Sequence, residues 1–567
     1  MRKLLLAGFI IVSCSSPESF DTLMHNYYED YLELYPFAAT SAGDNRYNHI
    51  LPNNISVTYR NEVKKFYSGY QEKLKTFDRS SLSDDDRLSY DLLTYQCSIN
   101  LEGLKFNDHL TPITQIQSMP LQVAQLAAGT GNQPFKTVKD YDNWLSRLNG
   151  FVVWCDTAIA NMKQGMTKGY VIPKVIAQKV VPQLASFDHG PVKEHHYYKP
   201  ILSMPSDFSL ADKERLEKEY ETIIAQKIIP VHQKLRAFFE DEYIPACRET
   251  PGIDALPGGK EFYNYSIRKF TTTDLTADSI FALGKSEVER ISKQLDSVKK
   301  LLSSDQQNLY PFKNSNDIIA YYNAIHNKMK PNLTKLFDKA PKTGFEVRRI
   351  EAFREKTTAA NYVAGSEDGR RPGVFYFPSP DPENYSIVGT EDLFLHEAIP
   401  GHHYQIMLKI ENKSLPDFRR YLNYGAYTEG WGLYAESLGK ELGLYTDPHQ
   451  YFGMLTAEMH RAIRLVVDAG MHSQGWTREQ AIQYSRDHEA PGEQNIIPEI
   501  ERYMGNPGQA LSYKIGQLKI LELRAKAGKA LGDKFNIKEF HNYVLDAGSL
   551  PLGILEQRID LYIKNSN

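Results

Sequence analysis

His396-Glu397-Ala398-Ile399-Pro400-Gly401-His402-His403 is the stretch around which this chain is organised. It nearly reproduces the pattern H-E-x-x-H, in which two histidines one helical turn apart bind zinc and the glutamate handles a proton. Here the fifth position is a proline, and the next histidines stand at the seventh and eighth positions. Pro400 has no N–H for the carbonyl of His396, and Gly401 tolerates unusual backbone angles. We predict a bulge at residues 400–401 that turns His402 or His403 back towards His396.

Two glutamates follow on the next predicted helix, which covers residues 421–442. Glu429 and Glu436 are seven residues apart and therefore share a helix face. If that face is buried, the carboxylates need a partner such as a metal; if it is solvated, both are surface acids. Gly430 and Gly432 weaken this helix, and we expect another backbone to pack closely against them.

A strongly apolar helix at residues 454–471 carries Arg464, Asp468 and His472 at four-residue intervals. One interpretation of Arg464 and Asp468 is an internal salt-bridge ladder. The other is that Arg464 contacts a substrate while Asp468 supports a metal ligand. We expect His472 to face a cleft, together with Tyr513 at the start of a later helix.

Short β-like runs at residues 361–364 and 374–377 precede the histidine helix and predict a hairpin or two edge strands. An edge strand offers unpaired N–H and C=O groups to which an extended peptide can add itself. Tyr376 in the second run is therefore a candidate substrate contact. A purely structural hairpin is the alternative.

Composition narrows the class of protein. At 567 residues the chain is long enough for roughly three or four domains, or for one large helical enzyme. The Pro- and Gly-rich segment 251–259 either divides lobes at 20–250 and 260–567 or is a loop within one domain of residues 20–567. The net charge of -4, without a basic block, makes nucleic acid an unexpected partner.

The N-terminus predicts export. Arg2 and Lys3 precede the apolar run 4–12, and Ile11-Val12-Ser13-Cys14 resembles a bacterial lipobox, so we predict a lipoprotein signal peptide at residues 1–14. The mature chain would then be tethered through a lipid on Cys14 in the bacterial cell envelope, facing the periplasm or the surface. The alternative is an ordinary signal peptide with a chance cysteine. The other three cysteines form no metal pattern or disulfide framework, and we expect buried thiols.

Three motifs together resemble one bacterial family. They are His-Glu-x-x-Pro-Gly-His at residues 396–402, Thr-Glu-Gly-Trp-Gly-Leu-Tyr-Ala-Glu at 428–436, and Val-Asp-Ala-Gly-Met-His at 467–472. This set resembles the domain of unknown function 885 family, whose members look like zinc metallopeptidases of the carboxypeptidase Taq type. The resemblance runs from about residue 20 to near the C-terminus. It implies a mainly α, zincin-like fold of many helices around a deep cleft, with His396, His402 and Glu429 as zinc ligands and Glu397 as the base.

The choice between His402 and His403 also rests on helix geometry. In a straight helix His403 has the right direction, but it would lie roughly 10 Å along the axis from His396. A bulge would place His402 one turn beyond His396 and turn His403 aside, towards substrate or as a donor to a ligand. We expect Glu436 to orient a metal ligand.

The leading functional hypothesis is a zinc-dependent hydrolase that cleaves peptide bonds. Glu397 would take a proton from a zinc-activated water, and His472 or Tyr513 would donate to the oxyanion. One alternative is a lipid-anchored pseudoenzyme that binds peptides or other nutrients, which has no need of Glu397. Another is a zinc amidase or esterase that acts on non-peptide substrates.

Overall fold

The structure, a computed structural model, describes residues 18–129, 131–302, 309–351, 355, 359–489 and 495–566. The predicted signal peptide and Cys14 lie outside these residues. Within them the chain is mainly helical, as predicted, with one small sheet. No helix in the described ranges combines the length and apolarity needed to cross a membrane.

The helices before the sheet cover most of the N-terminal half. They are α1 (Phe20–Leu34), α2 (Pro36–Ser41), α3 (Val57–Leu74), α4 (Asp84–Gly103), α5 (Met119–Ala127), α6 (Val138–Lys168), α7 (Lys174–Ala185), α8 (Lys199–Leu202), α9 (Leu210–Ile223), α10 (Ile229–Phe238), α11 (Ile244–Ala246), α12 (Gly259–Thr271), α13 (Ala277–Lys299) and α14 (Ser315–Leu336). Helices α9–α11 form one long helical run. A π-helical turn at Ile224–Ile228 interrupts it just before Pro230, whose ring and missing N–H disfavour a regular α-helix at that point.

The helices after the sheet carry the residues of interest. They are α15 (Thr390–Glu397), α16 (His402–Glu411), α17 (Asp417–Tyr421), α18 (Gly425–Ser437), α19 (Pro448–Ser473), α20 (Arg478–His488), α21 (Ile496–Gly505), α22 (Ser512–Leu531), α23 (Ile537–Leu545) and α24 (Leu552–Ser566). Helix α19 is the central core helix, because every residue from 462 to 472 is buried. Helix α13 lies along it, and a Cβ on Gly284 would stand only 2.8 Å from side-chain atoms of Leu465 and Val466.

The sheet has three strands in the order β1 (Phe345–Arg349), β3 (Gly373–Phe377), β2 (Asn361–Val363). Strands β2 and β3 are antiparallel, so the predicted pair of strands forms. Strand β1 pairs in parallel with the other side of β3, so β3 is the central strand and the edge strand predicted at residues 374–377 is wrong. Phe375 of β3 packs against Tyr322 of α14 and Phe394 of α15. The sheet therefore supports the helix that ends in His396 and Glu397.

The Pro- and Gly-rich segment at residues 251–259 packs tightly against α19. A Cβ on Gly252 would stand 2.1 Å from the carbonyl oxygen of Met471, and the backbone N–H of Ile253 donates to His472 Nδ1 at 3.1 Å. Gly258, at φ 66°, then precedes the first residue of α12. These contacts fix the segment on the core helix.

Candidate metal centre

The histidine stretch forms two helices with a sharp turn between them, where the sequence predicted a bulge within one helix. Helix α15 ends at Glu397 and α16 begins at His402. Gly401 fits this turn because a Cβ there would lie 2.0 Å from the carbonyl oxygen of His396. Trp431 of α18 fixes the turn, since its indole N–H donates to the carbonyl of Pro400 at 2.7 Å. The turn changes the direction of the chain more than a bulge would. It still brings a later histidine back towards His396, which is what the bulge was predicted to do.

The turn brings His402, and not His403, to His396. The imidazole rings of His396 and His402 have centroids 4.6 Å apart and lie nearly perpendicular, at 83°. His403 turns towards the sheet, where its Nδ1 lies 2.8 Å from the hydroxyl of Tyr362. The ring of His403 also contacts that of Phe345, at a centroid distance of 5.0 Å.

Glu429 of α18 completes a cluster with the two histidines. Its Oε2 lies 3.6 Å from His396 Nε2 and 3.7 Å from His402 Nε2. The potential ligand atoms of the three residues all lie within 4.8 Å of one another. Tetrahedral zinc with bonds of about 2.1 Å holds its ligand atoms about 3.4 Å apart, so the donor types and their spacing fit such an ion.

Two glycines allow α18 to approach this closely. A Cβ on Gly432 would lie 2.7 Å from Cε1 of His396, and a Cβ on Gly430 would lie 2.5 Å from the backbone of Gly516 in α22. The close approach that the sequence predicted therefore occurs, against a histidine side chain at one glycine and a backbone at the other. Glycine costs helix stability here but lets Glu429 reach His396.

The imidazoles are oriented by neighbours. Glu436, only 2% exposed, accepts from His396 Nδ1 at 2.7 Å, so Nε2 is the ring nitrogen that faces Glu429. The side-chain amide nitrogen of Gln405 lies 3.0 Å from His402 Nδ1 and also donates to the carbonyl of Thr428 at 2.8 Å. Glu429 and Glu436, seven residues apart on α18, thus reach opposite nitrogens of one histidine ring.

The electrostatics of the cluster favour a cation between its members. Burial lowers the pKa of His396, but hydrogen bonds to Glu429 and Glu436 outweigh it and raise that pKa to about 10. Burial raises the pKa of Glu429, yet contact with the two histidines holds it well below its usual range. A metal ion at the cluster would replace the proton on His396.

Two further residues stand beside the cluster. Glu397, which is 8% exposed, makes no hydrogen bond or ion pair with the described residues, so its carboxylate is free to bind a water molecule. Burial raises the pKa of Tyr513, and the negative charge of Glu429 raises it further. The guanidinium of Arg464 lies 4.7 Å from the ring centroid of Tyr513 and is hydrogen-bonded to Tyr503 and Glu499.

Helix α19 does not supply a cleft residue in the way that the sequence suggested. His472 is fully buried, and its Nδ1 accepts from the N–H of Ile253 while its Nε2 donates to the carbonyl of Tyr503, so no ring nitrogen is left for an oxyanion. Asp468 accepts from the hydroxyl of Tyr263 at 2.6 Å and from the N–H of Gly508, which makes it a core residue and not a support of a histidine.

The Arg464–Asp468 ion pair and the substrate contact expected of Tyr376 also differ from what the structure shows. The Arg464–Asp468 ladder does not form, because Arg464 pairs with Glu499 at 3.0 Å. Tyr376 lies on the face of β3 opposite to Phe375 and Phe377, which pack towards α14, and so it points away from the histidine helix. Alternation along the strand would have shown this, once the buried face was known.

Sequence reasoning missed two residues near the cluster. Asp392, one helical turn before His396, is buried, and burial together with the charge of Glu436 raises its pKa well above the usual range. Gln405 stands one turn after His402. Asp392 is four residues before His396, and Gln405 is three residues after His402. Residues at these spacings are neighbours on a helix surface, and this was the signal that could have identified them.

Fold and site together define a class: mainly helical proteins with a two-histidine, one-glutamate cluster where three helices meet. The chain belongs to the family of bacterial proteins of unknown function DUF885, whose family model matches residues 36–559. This agrees with the family resemblance in the three motifs.

Two solved structures are similar to the chain over nearly their whole lengths. A candidate lipoprotein from Colwellia psychrerythraea is 25% identical, with a TM-score of 0.87 over 97% of this chain and 100% of that chain. A candidate lipoprotein of unknown function from Shewanella oneidensis is 19% identical and shares the fold, with a TM-score of 0.75 over 95% of this chain and 99% of that chain. No protein with a curated description matches the chain.

Proposed function

We propose that this protein is a zinc-dependent hydrolase that cleaves peptide bonds. The observation that carries the proposal is the convergence of His396, His402 and Glu429, whose potential ligand atoms lie within 4.8 Å of one another. Glu397 directly follows the first histidine, His396, and the carboxylate of Glu436 accepts from Nδ1, the nitrogen of that histidine that faces away from the cluster. A hydrolytic zinc site requires an acid and a carboxylate in these two places. A protein that only binds peptides needs neither.

The cluster would hold zinc through Nε2 of both histidines and one oxygen of Glu429. Zinc bound there would supply Lewis-acid chemistry, acidifying a water molecule to a pKa of about 7. Glu397 would be the base that takes a proton from the attacking water and later delivers it to the leaving amine. Tyr513 donates its hydroxyl proton in a hydrogen bond to the substrate oxygen that gains negative charge. Glu436 keeps Nδ1 of His396 protonated and the ring in place.

We also propose that the protein is anchored to the cell envelope through a lipid on Cys14. The lipobox-like sequence before Cys14 supports this, as does the description of both similar solved structures as candidate lipoproteins. Anchoring would place the metal centre where exported proteins or cell-wall peptides are available as substrates.

A peptide-library digest with parallel metal analysis tests the proposed function. The chain that begins after Cys14 should contain zinc and cleave peptides, and the cleavage products should be identified by mass spectrometry. Glu397→Gln should retain zinc and lose activity by about 10²–10⁴-fold, because it removes the base and not a ligand. Equal cleavage by both proteins would refute the mechanism. Cleavage of ester and simple amide substrates alone would support the non-peptide alternative.

A further inference from the structure

A second candidate binding site lies in a cavity of about 610 Å³ outside the metal centre. Its wall comes mainly from the chain between residues 54 and 270, with one short contribution from residues 504–507. None of His396, Glu397, His402, Glu429 and Tyr513 lines it. The volume falls within the range of small-molecule sites, which is about 300–1,000 Å³.

The cavity wall carries more positively charged than negatively charged side chains. Arg60, Arg248 and Lys269 line it with Asp108 as the one carboxylate among the lining residues. Asp108 is already paired with Arg60, Nη1 to Oδ1, at 2.8 Å. Arg248 and Lys269 form no ion pair with a carboxylate among the described residues.

Lys269 is the cation that is free to meet a ligand. Its Nζ lies 5.4 Å from the ring centroid of Phe270 and 6.0 Å from that of Tyr265, so aromatic rings are its close neighbours. Lys269 lines the cavity and has an exposed side chain, and desolvation by the surrounding protein lowers the pKa of its ammonium group. An ammonium group in such surroundings gains from an anion beside it.

The remaining donors favour a carboxylate over a phosphate. Arg248 donates through Nε to the carbonyl of Val171 and through Nη1 to the carbonyls of Thr250 and Gly252. Only its Nη2 remains for a ligand, so Arg248 contributes positive charge and one nitrogen instead of a two-nitrogen fork. The N-terminus of α5, which also reaches the cavity, is closed by the Ser118 hydroxyl, which accepts from Leu121 N–H. Besides these cations, the wall is rich in side-chain amides, which belong to Asn54, Gln117, Gln122, Gln125 and Asn506.

We infer that this cavity binds a small organic carboxylate, such as a short acidic peptide, with Lys269 as its charged contact and the amides as partners for its polar groups. This inference is independent of the proposed hydrolase, because no residue of the metal centre takes part. It adds to the molecule a recognition site for acidic ligands.

Isothermal titration calorimetry with the tripeptide Glu-Glu-Glu tests the inference. We expect it to bind the wild-type protein, with an affinity that falls as salt rises. The tripeptide Gln-Gln-Gln keeps the terminal carboxylate but lacks the three side-chain carboxylates, and we expect it to bind at least tenfold more weakly. Lys269→Met should weaken binding at least tenfold. Lys260→Met is the matched control, because Lys260 is exposed on the same helix and does not line the cavity.

Two further titrations show where the tripeptide binds and which chemical class of anion the cavity takes. Glu429→Ala should bind Glu-Glu-Glu within about twofold of wild type, since it alters only the metal centre; loss of binding there would assign the peptide to that centre and overturn the inference. Inorganic phosphate that binds in a Lys269-dependent way while the tripeptide does not would overturn the carboxylate class. Equal affinity in Lys269→Met and wild type would overturn the site itself. Failure of the independent zinc or peptidase tests would leave these results unaffected.

Discussion

At the scale of single residues, the proposed zinc site depends on how His396 is held. Glu436 occupies Nδ1 at 2.7 Å while Glu429 stands 3.6 Å from Nε2, so the two carboxylates have different tasks. Glu429→Ala should abolish stoichiometric zinc. Glu436→Ala should keep the ion but weaken its binding about 10- to 100-fold, because the ring loses its orienting partner. Competition with a chromogenic zinc chelator measures the zinc affinity of both variants. If Glu436→Ala lost the ion and Glu429→Ala only bound it more weakly, Glu436 would be the ligand and Glu429 the orienting residue.

The identity of these residues was largely predictable, and their surroundings were not. The turn chemistry of Pro400 and Gly401 favoured His402 over His403, and the structure brings His402 to His396. His472 and Tyr376 show the limit of such reasoning. Periodicity places a residue on a face, but which face looks into the core depends on neighbours far away in sequence, such as the Ile253 segment against His472.

At the scale of elements, the contact between α15 and α18 positions the site. Gly432→Ala would place a methyl group 2.7 Å from the His396 ring, and that ring is fixed by Glu436. We therefore expect this variant to fold but to bind zinc at least tenfold more weakly. Gly528→Ala in α22 is the control, since nothing lies within 4 Å of its added Cβ, and it should stabilise the protein by up to about 1 kcal/mol. Unchanged zinc affinity in Gly432→Ala would show that the packing is not required.

The core helix α19 carries a titrating group whose effect on stability can be measured. Burial raises the pKa of Asp468 to about 7, so the folded protein holds this proton more tightly than the unfolded chain, where the pKa is about 3.9. The stabilisation is complete below about pH 4, and it is lost as pH rises through 7, by up to about 4 kcal/mol in total.

Asp468→Asn cannot ionise but keeps an oxygen for the Tyr263 and Gly508 donors. The free energy of unfolding in urea should therefore fall less between pH 5 and pH 8 in this variant than in the wild-type protein. Parallel pH profiles for the two proteins would contradict the assignment of this proton to Asp468.

The elements themselves were predicted to different degrees. The helices were predictable from their periodic apolar residues, and the β2–β3 pair was predictable from the turn residues between its strands. Strand β1 was missed because Phe345–Arg349 holds three charged residues and buries only Val347. Its place in the sheet comes from pairing with β3, which local sequence does not encode.

At the scale of the whole molecule, the proposed anchor sets where the protein works. The full-length protein should partition with membranes, and Cys14→Ser should retain its signal peptide or be mis-sorted. Mass spectrometry of the mature N-terminus measures this directly. An unmodified N-terminus at another position would show an ordinary signal peptide instead.

The proposed zinc site depends on the turn at Pro400 and Gly401, which brings His402 to His396 and directs His403 towards the sheet. Zinc stoichiometry, measured by atomic emission on His402→Ala, His403→Ala and the wild-type protein after dialysis against metal-free buffer, tests it most directly. We expect one zinc ion per chain in the wild type and in His403→Ala, and none in His402→Ala. Full zinc in His402→Ala with loss in His403→Ala, or no zinc in the wild type, would contradict it.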